Sequence, residues 1–211
     1  MALRRARVLR VDISIGDTVS DNGKVFYPIG YWNNQETYEN LAGIEGVSSG
    51  FYAFQGTFDG NNKTISNLVI TGNKSDVGLF GMTTNGEIKN LTVNNAKVSG
   101  YLDVAVVAGT PYTSKYTNIK VTGHVEVNGF AYVGAVGGKN AYANWENVTV
   151  DVDETSYVNA NSVAGEKIYR TYVGGVCGFN GEGGHSFTNV TSNIDVIGGV
   201  FKSQNERSYP K

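Results

Sequence analysis

One cysteine, three prolines and two histidines in 211 residues exclude several kinds of protein at once. Cys177 alone can form no internal disulfide, so a cross-linked scaffold is ruled out. That suits a cytosolic chain, and equally a surface protein whose repeats need no staple. His124 and His185 are far apart, and no His-x-x-x-His or Cys-x-x-Cys spacing exists, so no zinc site is expected. The formal net charge is -2 and only 17% of residues are charged, which gives no electrostatic case for nucleic acid. No apolar run approaches the length of a bilayer-crossing helix, so no membrane insertion is expected. No glycine-rich block matches the full Gly-x-x-x-x-Gly-Lys-Ser/Thr pattern of a phosphate loop.

What is abundant is glycine, at 28 residues, with asparagine, valine and threonine. Such a mixture reads as many short strands joined by tight turns. It is also periodic. A small-residue block appears as Val77-Gly78-Leu79-Phe80-Gly81 and returns from Val104, Val133 and Val173, at steps of 27, 29 and 40. A second block, Ile/x-x-Asn-apolar-x-Val, is marked by Asn67, Asn90, Asn118, Asn147 and Asn189. Both series stretch at the same place, which predicts an insertion between Asp153 and Arg170.

Within each unit the apolar residues alternate, as in Val148-Thr149-Val150-Asp151-Val152. Period-two patterning puts valine inward and polar residues outward. Units this short bury an apolar face only by stacking on one another, which predicts a solenoid. A parallel β-helix meets these demands, with glycine and asparagine at its corners because both tolerate positive φ. Each corner amide could also bond to the asparagine on the next coil. A sandwich would leave the repeat unexplained, and a propeller needs units of about 40 residues or more.

The run Phe54-Gln55-Gly56-Thr57-Phe58-Asp59-Gly60-Asn61-Asn62-Lys63-Thr64-Ile65-Ser66-Asn67-Leu68 resembles the signature of GLUG-motif repeat proteins. Gly78-Leu79-Phe80-Gly81 resembles the motif that names that family, and Phe26-Tyr27-Pro28-Ile29-Gly30 resembles the segment that precedes the run. The resemblance covers roughly residues 11 to 200. It implies an all-β, right-handed parallel β-helix, here of about five to six coils, from a bacterial surface-exposed or secreted protein. Some such proteins resemble immunoglobulin A peptidases in which the repeats lie outside the catalytic part, so the resemblance carries over no catalytic residue.

The expected organisation is a basic leader at residues 1–10, read as a gene-fragment junction, then one β-helix domain over 11–200, then a polar tail over 201–211. Insertions are expected near 31–53, with helical turns over 36–44, and near 153–170. No apolar stretch follows the basic residues, so the leader does not read as a signal peptide.

Several residues stand out as carriers of chemistry. The residue before each block valine is Asp76, Asp103, Tyr132 and Tyr172 in turn, so stacking would set Asp76 on Asp103 and Tyr132 on Tyr172. Two carboxylates about 5 Å apart repel, and they either point into water, share a proton or hold a cation such as calcium. No basic partner for them is evident in the sequence. Tyr31 and Trp32 in the first insertion, and Tyr112, Tyr116, Tyr142 and Trp145 in apparent connections between strands, are candidates for binding sugar rings. The alternative is that these rings cover coil edges. Asp59 reads as a turn carboxylate, His124 as a surface residue, His185 as a loop residue and Cys177 as a buried spacer. The Asn-x-Thr/Ser sequences at Asn62, Asn73, Asn90, Asn147 and Asn189 read as corner asparagines followed by strand residues.

Together these features predict a non-catalytic structural or adhesive module, extracellular or on a cell surface, with no required cofactor. Its expected partners are a glycan or host surface protein, the other domains of a longer chain, or a second copy through an uncapped coil end. The alternatives are a polysaccharide-degrading β-helix enzyme and a spacer with no ligand.

Overall fold

The computed structural model describes residues 7–15, 28–33, 50–161, 163–164, 167–168, 171–181 and 183–198. The stretch 36–44 and the tail 201–211 lie outside the described residues. Strands and turns account for what is described, with no helix among those residues. Among the described residues no helix is therefore long and apolar enough to cross a membrane.

Parallel pairing dominates and builds three faces. The long face stacks Thr57–Ile70, Glu87–Ser99, Lys115–Gly129, Asn144–Val152 and Phe187–Ser192. The short face stacks Phe80–Thr84, Ala108–Tyr112, Gly137–Ala141 and Cys177–Gly181. The narrow face stacks Leu102–Val104, Ala131–Gly134 and Val173–Gly174. The chain visits narrow, short and long faces in turn, then climbs to the next coil. The block valines lie over one another as the repeat predicts: Val77 pairs with Val104, Val104 with Val133, and Val133 with Val173.

Alternation closes the core. Ile119, Val121, Val125 and Val127 of the strand Lys115–Gly129 are fully buried, while Lys120 and His124 are exposed. Each long-face strand must bend to turn this apolar side around the interior, and asparagine makes the bend. Asn90, Asn118, Asn147 and Asn189 have φ of 52, 56, 54 and 53°. Their amides form a ladder: Asn189 donates to Asn147, Asn147 to Asn118, Asn118 to Asn90, and Asn90 to Asp59 at 2.8–3.1 Å. Asp59 ends the ladder and also accepts the Asn61 backbone N–H at 2.8 Å, the turn role expected of it, and these bonds hold its carboxyl below the usual range. A second bend repeats the device with Asn67, Asn95 and, one coil on, Gly123 at φ 76°.

Asn118→Ala is expected to lower stability by about 1–2 kcal/mol, because alanine resists the left-handed region as asparagine does not. Asn118→Gly, which keeps that backbone freely, should lose less. Urea unfolding of both variants checks this, and equal losses would place the stability in the amide bonds instead of the backbone.

Three expectations need correction. Arg7 and Val8 pair with Phe58 and Asp59, and Leu9 is buried, so the solenoid includes residues 7–10 instead of beginning at 11. Val8 is exposed and only Leu9 turns inward, so parallel backbone pairing with the next strand holds this segment despite the arginines around it. Asn67 does not share a column with Asn90: Ser66 lies beside Asn94 and Leu68 beside Ala96. One long strand contains two bends, and both demand the same residue. Finally, the extra residues of the last long step divide. Register along Lys115–Gly129 shows two added at the corner near Asp153 and nine after Ala160, where Val163–Ala164 and Lys167–Ile168 form an antiparallel pair. The first insertion also leaves the solenoid through an antiparallel pair, Tyr31–Asn33 against Gly50–Tyr52.

Candidate functional site

The short face is bounded by two columns of corners. At its start stand Asp76, Asp103 and Tyr132, with φ of 56, 56 and 57°. At its end stand Asn85, Thr113 and Tyr142, with φ of 49, 47 and 62°. Elsewhere among the described residues, every left-handed corner is asparagine or glycine. Only around the short face do aspartate, tyrosine and threonine occupy such positions, where a β-branched or bulky residue costs about 1–2 kcal/mol.

The glycine that closes each repeat block makes the first column fit. A Cβ on Gly109 would lie 2.5 Å from the backbone of Asp76 and Asp103, and one on Gly138 would lie 2.5 Å from the Asp103 carbonyl carbon. Gly81 and Gly178 meet the Asp76 and Tyr132 backbones in the same way. The repeat therefore presses the corner strand against the short face, and sets the residue before each valine at the rim.

Between the columns lies a cleft of about 600 Å³, lined by Asp76, Asp103, Thr110, Lys139, Tyr112 and Tyr142 among others. This is in the range of ordinary small-ligand sites. Asp76 and Asp103 are neighbours on successive coils, as the stacking argument predicts, but they are half-buried in the wall of the cleft instead of pointing freely into water. Thr110 Oγ1 donates to Asp76 Oδ1. Asp103 Oδ1 is buried and has no hydrogen-bond partner. Burial, and then the charge of Asp76, push the Asp103 carboxyl up to about 7, against the pull of Lys139. Burial also raises Asp76, opposed by the Thr110 hydroxyl and by Lys139.

Lys139 is the basic partner that sequence reasoning missed. Its ammonium lies 5.6 Å from the centre of the Tyr132 ring, a cation–π contact. The signal was available: Lys139 follows the block-closing Gly138 as Thr110 follows Gly109, and Met82 follows Gly81. Its charge beside the two carboxylates disfavours a second cation there. Two carboxylates also fall short of the six to eight oxygens calcium takes. Among the described residues no three His, Cys, Asp or Glu side chains converge.

The aromatic candidates divide. Tyr112 is 38% exposed, and its ring meets that of Tyr142 edge-on at 5.8 Å, so both belong to the cleft. Tyr132 and Tyr172 stack at 5.3 Å and 6°, as their repeat position predicts, and Phe179 packs edge-on against both. Tyr116 and Trp145 do not belong to the cleft. Both are fully buried, stacked at 4.2 Å and 15°, with the Tyr116 hydroxyl bonded to Thr83 at 2.7 Å. They face inward because Tyr116 stands in register with the fully buried Ile88, and Trp145 with Tyr116, two residues before the ladder asparagine. Tyr31 and Trp32 pair through their backbones with Tyr52 and Phe51, and their side chains lie outside the described residues.

Away from the cleft, Cys177 faces Gly137 across the short face, and burial pushes its thiol well up, as suits a spacer. His124 is a surface residue, as expected. Its ring meets Glu126 at 3.1 Å and Asp153 at 3.3 Å, and the hydrogen bonds to Glu126 and then Asp153 raise its imidazole.

The chain is 40% identical to Halomucin of Haloquadratum walsbyi over 99 residues, a stretch that is 46% of this chain and 1% of that protein. This chain thus spans only a minute share of the curated relative it matches. No protein-family model matches the chain, and no solved structure matches it.

Proposed function

We propose that this chain is a non-catalytic structural and adhesive repeat module of a longer cell-surface or secreted protein, and that its short-face cleft binds a glycan. The reading keeps the right-handed, five-to-six-coil β-helix and the kinship with GLUG-motif repeats expected from the sequence. A match to a small part of the far longer Halomucin supports the repeat-module part of it. One observation carries the binding part: three of the five left-handed corners that are neither asparagine nor glycine, Asp76, Asp103 and Tyr142, line one cleft. Strained residues persist where the surrounding structure over-determines them, and they cluster at functional sites. There Tyr112 and Tyr142 offer ring faces to the C–H side of a sugar, while Asp76, Asp103 and Lys139 meet its hydroxyl edge.

Wild type, Tyr112→Ala and Tyr142→Ala are to be compared on a glycan panel. Either substitution should weaken binding about tenfold, the equivalent of one lost stacking contact. Identical or absent binding by all three removes the glycan reading and leaves a spacer without a ligand.

A second reading draws on the same site. Two carboxyls raised above their ordinary range beside a lysine are the kind of set that polysaccharide-cleaving enzymes use for acid and base steps. Release of reducing ends or unsaturated sugars from bound glycan, abolished by Asp76→Asn, would establish it.

A further inference from the structure

We infer that the cleft selects an uncharged saccharide, with Asp103 binding as a neutral carboxylic acid that donates one hydrogen bond while Asp76 accepts another. The inference rests on the glycan reading above and specifies its ligand.

The argument starts from unequal compensation of two adjacent carboxyls. Asp76 has a hydroxyl donor in Thr110, whereas Asp103 Oδ1 is buried and no protein group donates to it. A buried acceptor without a donor is costly, and more so when it carries charge. The titratable or charged groups around Asp103 are Asp76 below it, Tyr132 above it, and Lys139, Tyr112 and Tyr142 across the cleft. Only Lys139 among them is a cation. A single ammonium balances a single carboxylate, so retention of one proton leaves the site neutral. Burial and the Asp76 charge assign that proton to Asp103.

A neutral site with one acid O–H, one carboxylate, one ammonium and two tyrosine rings suits a ligand that both donates and accepts hydrogen bonds and has an apolar face. Uncharged hexoses have that chemistry. A uronate would bring a second anion beside Asp76, and an amino sugar would bring a second cation beside Lys139, each without a free counter-charge among the cleft groups named. When Asp103 ionises, the donor disappears and two adjacent carboxylates repel, so binding should weaken as pH rises through about 7.

Asp103→Asn is a suitable probe, because asparagine supplies an N–H donor of similar shape and accepts a φ of 56° readily. Neutral hexose oligosaccharides and the matching uronates are to be titrated at pH 5.5 and 8.5 by calorimetry. Wild type should prefer the neutral series at pH 5.5 and lose at least tenfold in affinity at pH 8.5. Asp103→Asn should lose the pH dependence, with affinities at pH 5.5 and 8.5 that differ by no more than about twofold. In the free protein, the carboxyl carbon of Asp103 should titrate near neutrality by NMR, and that measurement needs no ligand. A midpoint near 4, an unchanged pH slope in Asp103→Asn, or tighter binding of uronates overturns the inference. If Tyr142→Ala still weakens binding about tenfold in that case, the glycan reading survives alone. If no saccharide binds at all, both fall.

Discussion

Trp145→Ala should destabilise the protein by about 3–5 kcal/mol, the loss typical of a large aromatic removed from a closed core. The indole is wholly shielded from solvent and sits between two other rings, Tyr116 at 4.2 Å and Phe187 at 6.3 Å, all nearly parallel. It also reaches across the interior to the short face. A Cβ on Gly137 would lie 3.1 Å from the far edge of the indole, so glycine there leaves the room that tryptophan fills. Truncation opens a void bounded by strands of both faces, and a stack of parallel strands cannot collapse locally to fill it. Trp145→Phe should lose less, because the ring stack survives and a buried indole N–H without a partner is removed with it. Urea unfolding gives both values. Saccharide binding by the folded fraction should be unchanged, since the indole does not line the cleft. A variant of normal stability that no longer binds would return Trp145 to the surface.

That residue also shows where the sequence was legible and where it was not. The repeat predicts the valine column and the Asp76–Asp103 and Tyr132–Tyr172 neighbours, because a shared block fixes register directly. Tyr116 and Trp145 were misread because each stands alone between polar residues, such as Lys115 and Thr117, and looks like a loop aromatic. Comparison along the column shows otherwise, since Ile88, Tyr116, Trp145 and Phe187 all stand two residues before a ladder asparagine. Local resemblance misleads in the opposite way at Asn67, whose Ile-Ser-Asn-Leu mimics Ile-Lys-Asn-Leu around Asn90. The mimicry has a physical cause: every bend of a strand over a packed core calls for a left-handed residue flanked by inward apolar ones. The cleft was half visible. Its acids and two of its tyrosines were candidates, but nothing in the linear sequence placed them together. The short face is only five residues wide, which brings its opposite corners to the two sides of one opening.

Gly138→Ala tests whether the repeat motif and the cleft are one device. The added methyl would fall 2.5 Å from the carbonyl carbon of Asp103, 2.6 Å from the Val104 nitrogen and 2.6 Å from the Gly109 oxygen. All three are backbone atoms, so no side chain can rotate aside and the strands themselves must part. The expected cost is about 3 kcal/mol, at the upper end for overpacking because the obstruction cannot yield. Gly183→Ala is the control, since nothing lies within 4 Å of its added methyl, and a change within about 0.5 kcal/mol is expected there. The atom displaced in Gly138→Ala belongs to Asp103 itself, so the acid should shift relative to Asp76 and Lys139. Binding per folded molecule should fall together with stability, and the NMR titration of the Asp103 carboxyl should move. Lost stability with an unaltered carboxyl and normal saccharide affinity would separate the two. The glycines would then serve only to stack the coils, and the aspartates at the rim would owe their pairing to something other than the repeat.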